Sequence, residues 1–309
     1  MRKFVPLLCL WLLVPPIQAA VISVEFKFTP FVGDPAKDEK VTTVPGKASV
    51  FINDIPFAEQ EVGEEQLPVL FEEHEVAAAV WVPMSSVGPV VRKGKNKVRI
   101  EFTPQDPAKT YRAQLRWASV TDEVTEEEVA PGSGHATNQA NEGVDDRKAQ
   151  KGKVVFEREF TADFALDLPW HHYPPVTSLT EEDKQKIAAL LQTRAGWFKP
   201  DFAALYNAID ENESLKVDDL RKAQCLEAAY KAGVRVNPPQ VGDMEFVTTG
   251  GPEVVLRRKS GTLFGLDEKT LAAIKDEETQ MCVGMALSVV YPGRLIAVRK
   301  PDGAWDIVY

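Results

Sequence analysis

The sequence predicts a multidomain protein: an N-terminal all-β sandwich, then an α+β domain with helices packed on a curved, mainly antiparallel sheet. Three observations predict it. From Val21 to about Leu168, apolar and polar residues mostly alternate, the period of half-buried strands. From Ser178 to about Ala232, apolar residues recur at helical spacing. After Pro238-Pro239 the strand period returns, with Pro292-Gly293 and Asp302-Gly303 as expected hairpin turns.

The first twenty residues read as an export leader. Arg2 and Lys3 precede an apolar run from Phe4 to Val14, and Ile17-Gln18-Ala19-Ala20 ends in small residues. That is the three-part layout of a secretory signal peptide, here of residues 1–20. The run is shorter than the roughly 20 apolar residues that span a bilayer, so no membrane span is expected after cleavage. Cys9 lies inside the run behind Leu8, which is not the small residue a lipoprotein cleavage site needs.

The first domain is expected over 21–168. Lys97 to Phe102 and Tyr111 to Trp117 alternate without a fault. Val21 to Phe31, Ala48 to Ile52, Val76 to Val82 and Val154 to Phe160 are further strands. Turn formers such as Gly33-Asp34-Pro35, Asn53-Asp54 and Gly94-Lys95-Asn96 separate them. Between 121 and 152 the alternation stops, and Ala130 to Asn141 has no large apolar side chain. A mobile polar loop is expected there.

Residues 169–175, with Pro174-Pro175, are the expected linker to a second domain over 176–309. Thr180 with Asp183 resembles a capping box before the helical positions Ile187, Leu190 and Leu191. Asp201 to Ile209 and Val217 to Ala232 read as two more helices, the last stopped by Gly233. Met244 to Thr248, Glu253 to Lys259, Val283 to Tyr291, Arg294 to Arg299 and Trp305 to Tyr309 read as strands, with a helix over Leu271 to Thr279.

Composition bounds the partners. Of 309 residues, 44% are hydrophobic and 27% charged, a globular balance. The net charge is −10, and loss of Arg2 and Lys3 with the leader would make it −12. Such a chain gains nothing from the phosphate attraction behind nucleic-acid binding, so no nucleic-acid partner is expected. No spacing matches a zinc site or a CxxC pair, and nothing calls for a cofactor or metal. Cys225 and Cys282 survive maturation. They could pair across a helix–sheet interface in an oxidising compartment, or stay two separate buried thiols.

Two resemblances accompany these patterns. Ala48-Ser49-Val50-Phe51-Ile52-Asn53-Asp54, followed by Val90 to Ile100 with Lys93-Gly94-Lys95-Asn96, resembles galactose-binding-like and related Ig-like β-sandwich modules over 21–168. The order of elements over 176–309, with the ending Asp302-Gly303-Ala304-Trp305-Asp306-Ile307, is similar to the nuclear-transport-factor-like superfamily. That superfamily also includes limonene-epoxide hydrolases and ketosteroid isomerases. The resemblance implies a cone of helices and curved sheet around a pocket. Ala232 to Met244, rich in Val and Pro, departs from the pattern, and no Asp–Tyr or Asp–Arg catalytic set carries over.

The chemistry-bearing candidates are few. Trp170-His171-His172-Tyr173 could stack on a sugar or peptide beside a titrating histidine, or could bolt two domains together. In an interior pocket, Glu245, Glu253 and Asp306 are the carboxylates whose pKa burial could raise. Arg257 and Arg258 alternate across one strand, one facing a pocket and the other water. His74, His135 and Glu126-Glu127-Glu128 read as solvated surface. The expectation is an exported, periplasmic binding protein for a protein, peptide or glycan; the alternative is a hydrolase- or isomerase-type pocket enzyme in the second domain.

Overall fold

The computed structural model describes residues 20–70, 75–84, 88–121, 138–212 and 215–308. Residues 1–19 of the expected leader, Cys9 among them, and His74, Glu126-Glu127-Glu128 and His135 lie outside them. The fold is mixed, with antiparallel sheets and, among the described residues, α-helices confined to the C-terminal half.

Among the described residues, the N-terminal half holds ten strands: β1 (Val21–Val32), β2 (Lys40–Thr43), β3 (Gly46–Ile52), β4 (Ile55–Val62), β5 (Gln66–Pro68), β6 (Val80–Pro83), β7 (Gly94–Pro104), β8 (Tyr111–Thr121), β9 (Asn138–Gln150) and β10 (Val154–Ala162). One sheet runs β5-β2-β1-β8-β9, with β6 also paired to β1, and the other runs β10-β7-β3-β4. The alternation read in β1, β7 and β10 aims Phe28, Phe102 and Phe156 into the space between the sheets. Ring centroids there are 5.7 and 5.8 Å apart. The turn formers work as expected at Asn53 and Asp54, which take positive φ values of 53° and 63° between β3 and β4.

Within the polar stretch expected as a loop over 121–152, Asn138–Gln150 form a strand instead, β9, paired along β8, while 122–137 lie outside the described residues. Its sequence shows no apolar alternation because it forms a sheet edge held by the backbone ladder and by charge. Arg112 of β8 bonds Asp146 of β9 at 2.6 Å. At Gly143 a Cβ would lie 2.4 Å from the Trp117 ring, so only glycine lets that indole lie against β9.

The C-terminal half runs α1 (Glu181–Ala195), α2 (Ala203–Asn212), α3 (Val217–Ala223), α4 (Cys225–Lys231), β11 (Val236–Asn237), β12 (Met244–Thr248), β13 (Glu253–Arg258), β14 (Gly265–Leu266), α5 (Glu268–Ala272), α6 (Glu277–Val290), β15 (Arg294–Arg299) and β16 (Trp305–Ile307). The capping box at Thr180 and Asp183 starts α1. Asp183 also accepts from Arg299 at 2.8 Å and from Trp305 Nε1 at 2.9 Å, tying the helix start to β15 and β16. Burial pushes its carboxyl up, but the bonds from Thr180 and Trp305 and the Arg299 charge outweigh that and hold it at about 2.

Three expectations need correction here. The helix expected over Val217 to Ala232 breaks at Gln224, whose φ of 51° is left-handed and redirects α4. The strand expected over Val283 to Tyr291 is the second half of α6. A short apolar run fits a buried strand or a buried helix equally, and here Val283, Ala286, Leu287 and Val290 share one helical face. Pro292-Gly293 accordingly joins helix to strand rather than closing a hairpin, while Asp302-Gly303 does turn β15 into β16.

β12, β13, β15 and β16 form a four-stranded sheet in that order, its central strands β13 and β15 buried on both faces. Val254, Leu256, Leu295 and Ala297 face the helices and join Leu191, Leu205, Leu226 and Leu287 in one apolar cluster. The space that the cone resemblance would leave as a pocket is occupied by these side chains. Val255, Ile296 and Val298 belong instead to the cluster of the two N-terminal sheets. Cys225 of α4 and Cys282 of α6 form a disulfide with Cα atoms 6.2 Å apart, so the bridge joins two helices rather than a helix and a strand.

Candidate functional site

Alternation in β13 and β15 sends Glu253, Val255, Arg257 and their partners Val298, Ile296, Arg294 to the same face, towards the N-terminal sheets. The two ends of this face differ. At the first, Glu253 is fully buried and its carboxylate takes a bond from Arg92 and one from Thr249 Oγ1 at 3.2 Å. Gly251 makes this closeness possible, since a Cβ there would lie 2.6 Å from Glu253 Oε2. Glu253 is therefore an ion-paired fastener between the halves and not an acid in an open pocket.

The Trp170 to Tyr173 segment belongs to this closed end. Pro169–His172 is a 3-10 turn in which Trp170 and His171 are buried. His171 Nε2 lies 2.8 Å from the Pro89 carbonyl and must carry the hydrogen, while Nδ1 accepts from the Leu168 N–H at 3.4 Å. Burial holds its pKa below the ordinary histidine value, against the pull of the Pro89 carbonyl. The Trp170 ring meets it edge-on at 4.2 Å, and Tyr173 packs half-buried on the sandwich core. His172 points to water and pairs with Asp167 at 2.6 Å. The aromatic cluster thus fills a seam, and its two histidines face apart.

At the other end the surfaces diverge into a cleft of about 910 Å³. One wall is the cross-strand row Glu245–Arg257–Arg294, with half-buried Val247 at its base above the fully buried Val255. The opposite wall is the β3–β4 hairpin, with Lys47, Phe51, Pro56, Phe57, Ala58 and Glu59. A bulge between Val50 and Phe51 twists this hairpin. Arg294 Nη1 donates to the Pro56 carbonyl at 2.8 Å and its guanidinium lies 5.2 Å from the Phe57 ring centroid. Arg99 covers Phe51 at 3.9 Å.

The lining has five basic side chains, Lys47, Arg257, Arg258, Lys259 and Arg294, against two acidic ones, Glu59 and Glu245. Positive charge is concentrated here on a chain of net charge −10. Glu245 bonds Arg257 Nε at 2.8 Å, and that bond lowers the Glu245 pKa and raises that of Arg257. Glu245 is consequently a carboxylate at neutral pH and a poor proton donor. Among the described residues that line it, Ser49 and Ser260 are the hydroxyls and none is a histidine to act as their base.

Of the sequence candidates, Glu245, Arg257 and Arg258 come together in the cleft lining. Arg257 and Arg258 alternate as expected, Arg258 turning to Asp243 at 3.3 Å. Asp306 lies outside the cleft lining, paired to Lys300 at 2.7 Å. Lys47, Phe57 and Arg294 carry no site signal in sequence, because each reads as the solvated face of an ordinary strand. Only the pairing of strands distant in sequence assembles them. Among the described residues, no group of three or more His, Cys, Asp or Glu could hold a metal ion, and no helix is long and apolar enough to cross a membrane. Comparison with protein-family models, curated proteins and solved structures found no match.

Proposed function

We propose that this chain is an exported, two-domain binding protein that holds a protein, peptide or glycan segment in the cleft between its halves. The cleft carries this reading: it is open, flanked by both halves, and concentrates cations on an acidic chain. Electrostatic focusing of that kind attracts and orients a ligand without any chemistry on it. The first twenty residues support export, and a Cys225–Cys282 bridge suits an oxidising space such as a periplasm. An enzyme in the C-terminal half has less support, because Glu253 is tied to Arg92, Glu245 is paired, and the helix–sheet interior is packed.

A thermal-shift screen of residues 21–309 tests the reading, since a ligand that binds only the native state raises Tm. Peptides, glycans and small carbonyl compounds are compared on the wild type and on Lys259→Glu. A saturable shift weakened by that substitution supports cleft binding. A shift indifferent to it moves recognition elsewhere. N-terminal sequencing of the exported product tests the leader, with a start near Ala20 or Val21 expected.

A further inference from the structure

We propose that a second cavity, on the helical side of the molecule, takes a small zwitterion of the free α-amino acid class, its carboxylate on Arg194 and its ammonium towards Glu211. This site is separate from the cleft and does not rest on the cleft reading. The cavity holds about 450 Å³, within the roughly 300–1,000 Å³ of small-molecule sites. It lies where α1, α2, α6 and the β15–β16 hairpin meet, so its lining belongs entirely to the C-terminal half.

Arg194 gives the first reason. It stands half-buried in the last turn of α1, where a cation ordinarily has an anionic partner. Among the described residues it forms no ion pair. Its Nε donates to the Val290 carbonyl at 2.8 Å, and its guanidinium lies 5.1 Å from the Trp197 ring centroid. These two contacts fix the plane of the group. The carbonyl end of α6 offsets part of its charge, yet burial still holds its pKa below the ordinary arginine value, against the pull of Tyr291 and Glu211. The Nη groups have no acceptor among the described residues, which leaves a planar fork of the geometry that grips one carboxylate with two bonds.

Glu211 gives the second reason. It lies near the end of α2, lines the same cavity, is exposed, and forms no ion pair among the described residues. A cation and an anion thus share one cavity without bonding to each other. A dianion would be repelled by Glu211, and a simple cation by Arg194. A ligand that carries both charges satisfies both side chains. Ser288 spends its hydroxyl hydrogen on the Met285 carbonyl at 2.8 Å, so its oxygen is left to accept from an ammonium group. Trp197, Val289 and Ile307 are half-buried in the lining and suit an apolar side chain on the ligand.

The test is isothermal titration calorimetry of residues 21–309 with free leucine, methionine and phenylalanine. Their methyl esters, which lack the carboxylate charge, and their N-acetyl derivatives, which lack the ammonium, are the comparisons. At least one free amino acid should bind saturably, with its ester and its N-acetyl form each weaker by about tenfold or more. Glu211→Gln should weaken the free amino acid and abolish the difference between it and the N-acetyl form. Arg194→Gln should abolish the difference between acid and ester, with circular dichroism and Tm confirming the fold. Because Arg194 also holds the end of α6, the exposed Glu211 keeps the test decisive if Arg194→Gln unfolds. Lys259→Glu, in the cleft, should leave the binding unchanged. No binding of any free amino acid, equal binding of esters or N-acetyl forms, or indifference to Glu211→Gln overturns the proposal.

Discussion

At the scale of single residues, the fastener and the site are built from the same side-chain types in different surroundings. Glu253 and Glu245 both pair with an arginine, yet Glu253 is 0% exposed and Glu245 lies at an open rim. Removing one partner of a buried pair leaves the other charge uncompensated. Glu253→Ala should therefore cost about 3 kcal/mol in urea unfolding, towards the lower end for buried pairs because Arg92 keeps 28% side-chain exposure. Replacing both Arg92 and Glu253 by leucine should recover part of that loss. The exposed Lys47–Glu59 pair should contribute less than about 1 kcal/mol. His171 adds a pH dependence. Burial sets its folded pKa below 6.5, the Arg92 charge acts in the same direction, and the Pro89 carbonyl, Glu253 and Asp167 oppose them. The unfolded chain then binds the proton more readily, so this stability is present above 6.5 and is lost as pH falls through the folded value. The urea midpoint of the wild type should drop between about pH 7 and pH 5, and His171→Gln should flatten that drop.

At the scale of elements, what was legible in the sequence depended on whether local pattern or distant pairing decides the element. Strands such as β1, β7 and β8, with one face in the core, announce themselves by alternation, and α1 by its Thr180–Asp183 box. β9 does not, because a polar edge strand with Val144 as its one large apolar residue takes its stability from the β8 ladder. α6 was misread because its apolar second half is as compatible with a strand, and the cap that starts it, Asp276 bonding the Thr279 N–H at 2.9 Å, lies well upstream. The same limit hid most of the cleft: Arg257 and Glu245 were visible as strand residues, but their neighbour Arg294 arrives only after α6 has crossed the helical layer. The disulfide holds α6 to α4 across 57 residues of separation. Closing a loop of that length is worth about 4 kcal/mol of chain entropy, of which bridges commonly deliver 2–4. Reduction, or Cys225→Ala with Cys282→Ala, should lower stability by about 2–4 kcal/mol, read as a shift of the urea midpoint in the absence and presence of dithiothreitol.

At the scale of the molecule, the β12-β13-β15-β16 sheet is shared by two cores, which makes the halves one packed body at the Glu253 end and a cleft at the Arg257 end. Expressed alone, residues 176–309 would expose Val255, Ile296 and Val298 to water. That fragment should bind a hydrophobic dye and unfold at lower Tm than the same region of the full chain; equal stability would mean the shared face contributes nothing. The central claim is that the open end of this junction is where a ligand lodges. Hydrogen–deuterium exchange of residues 21–309, with and without a saturating ligand that raises Tm in the screen, tests it most directly. The account predicts slowed exchange along β4 and β12, with α1 to α4 unchanged. Protection confined to the helices or to the outer sheet, or none at β4 and β12 despite binding, would contradict it.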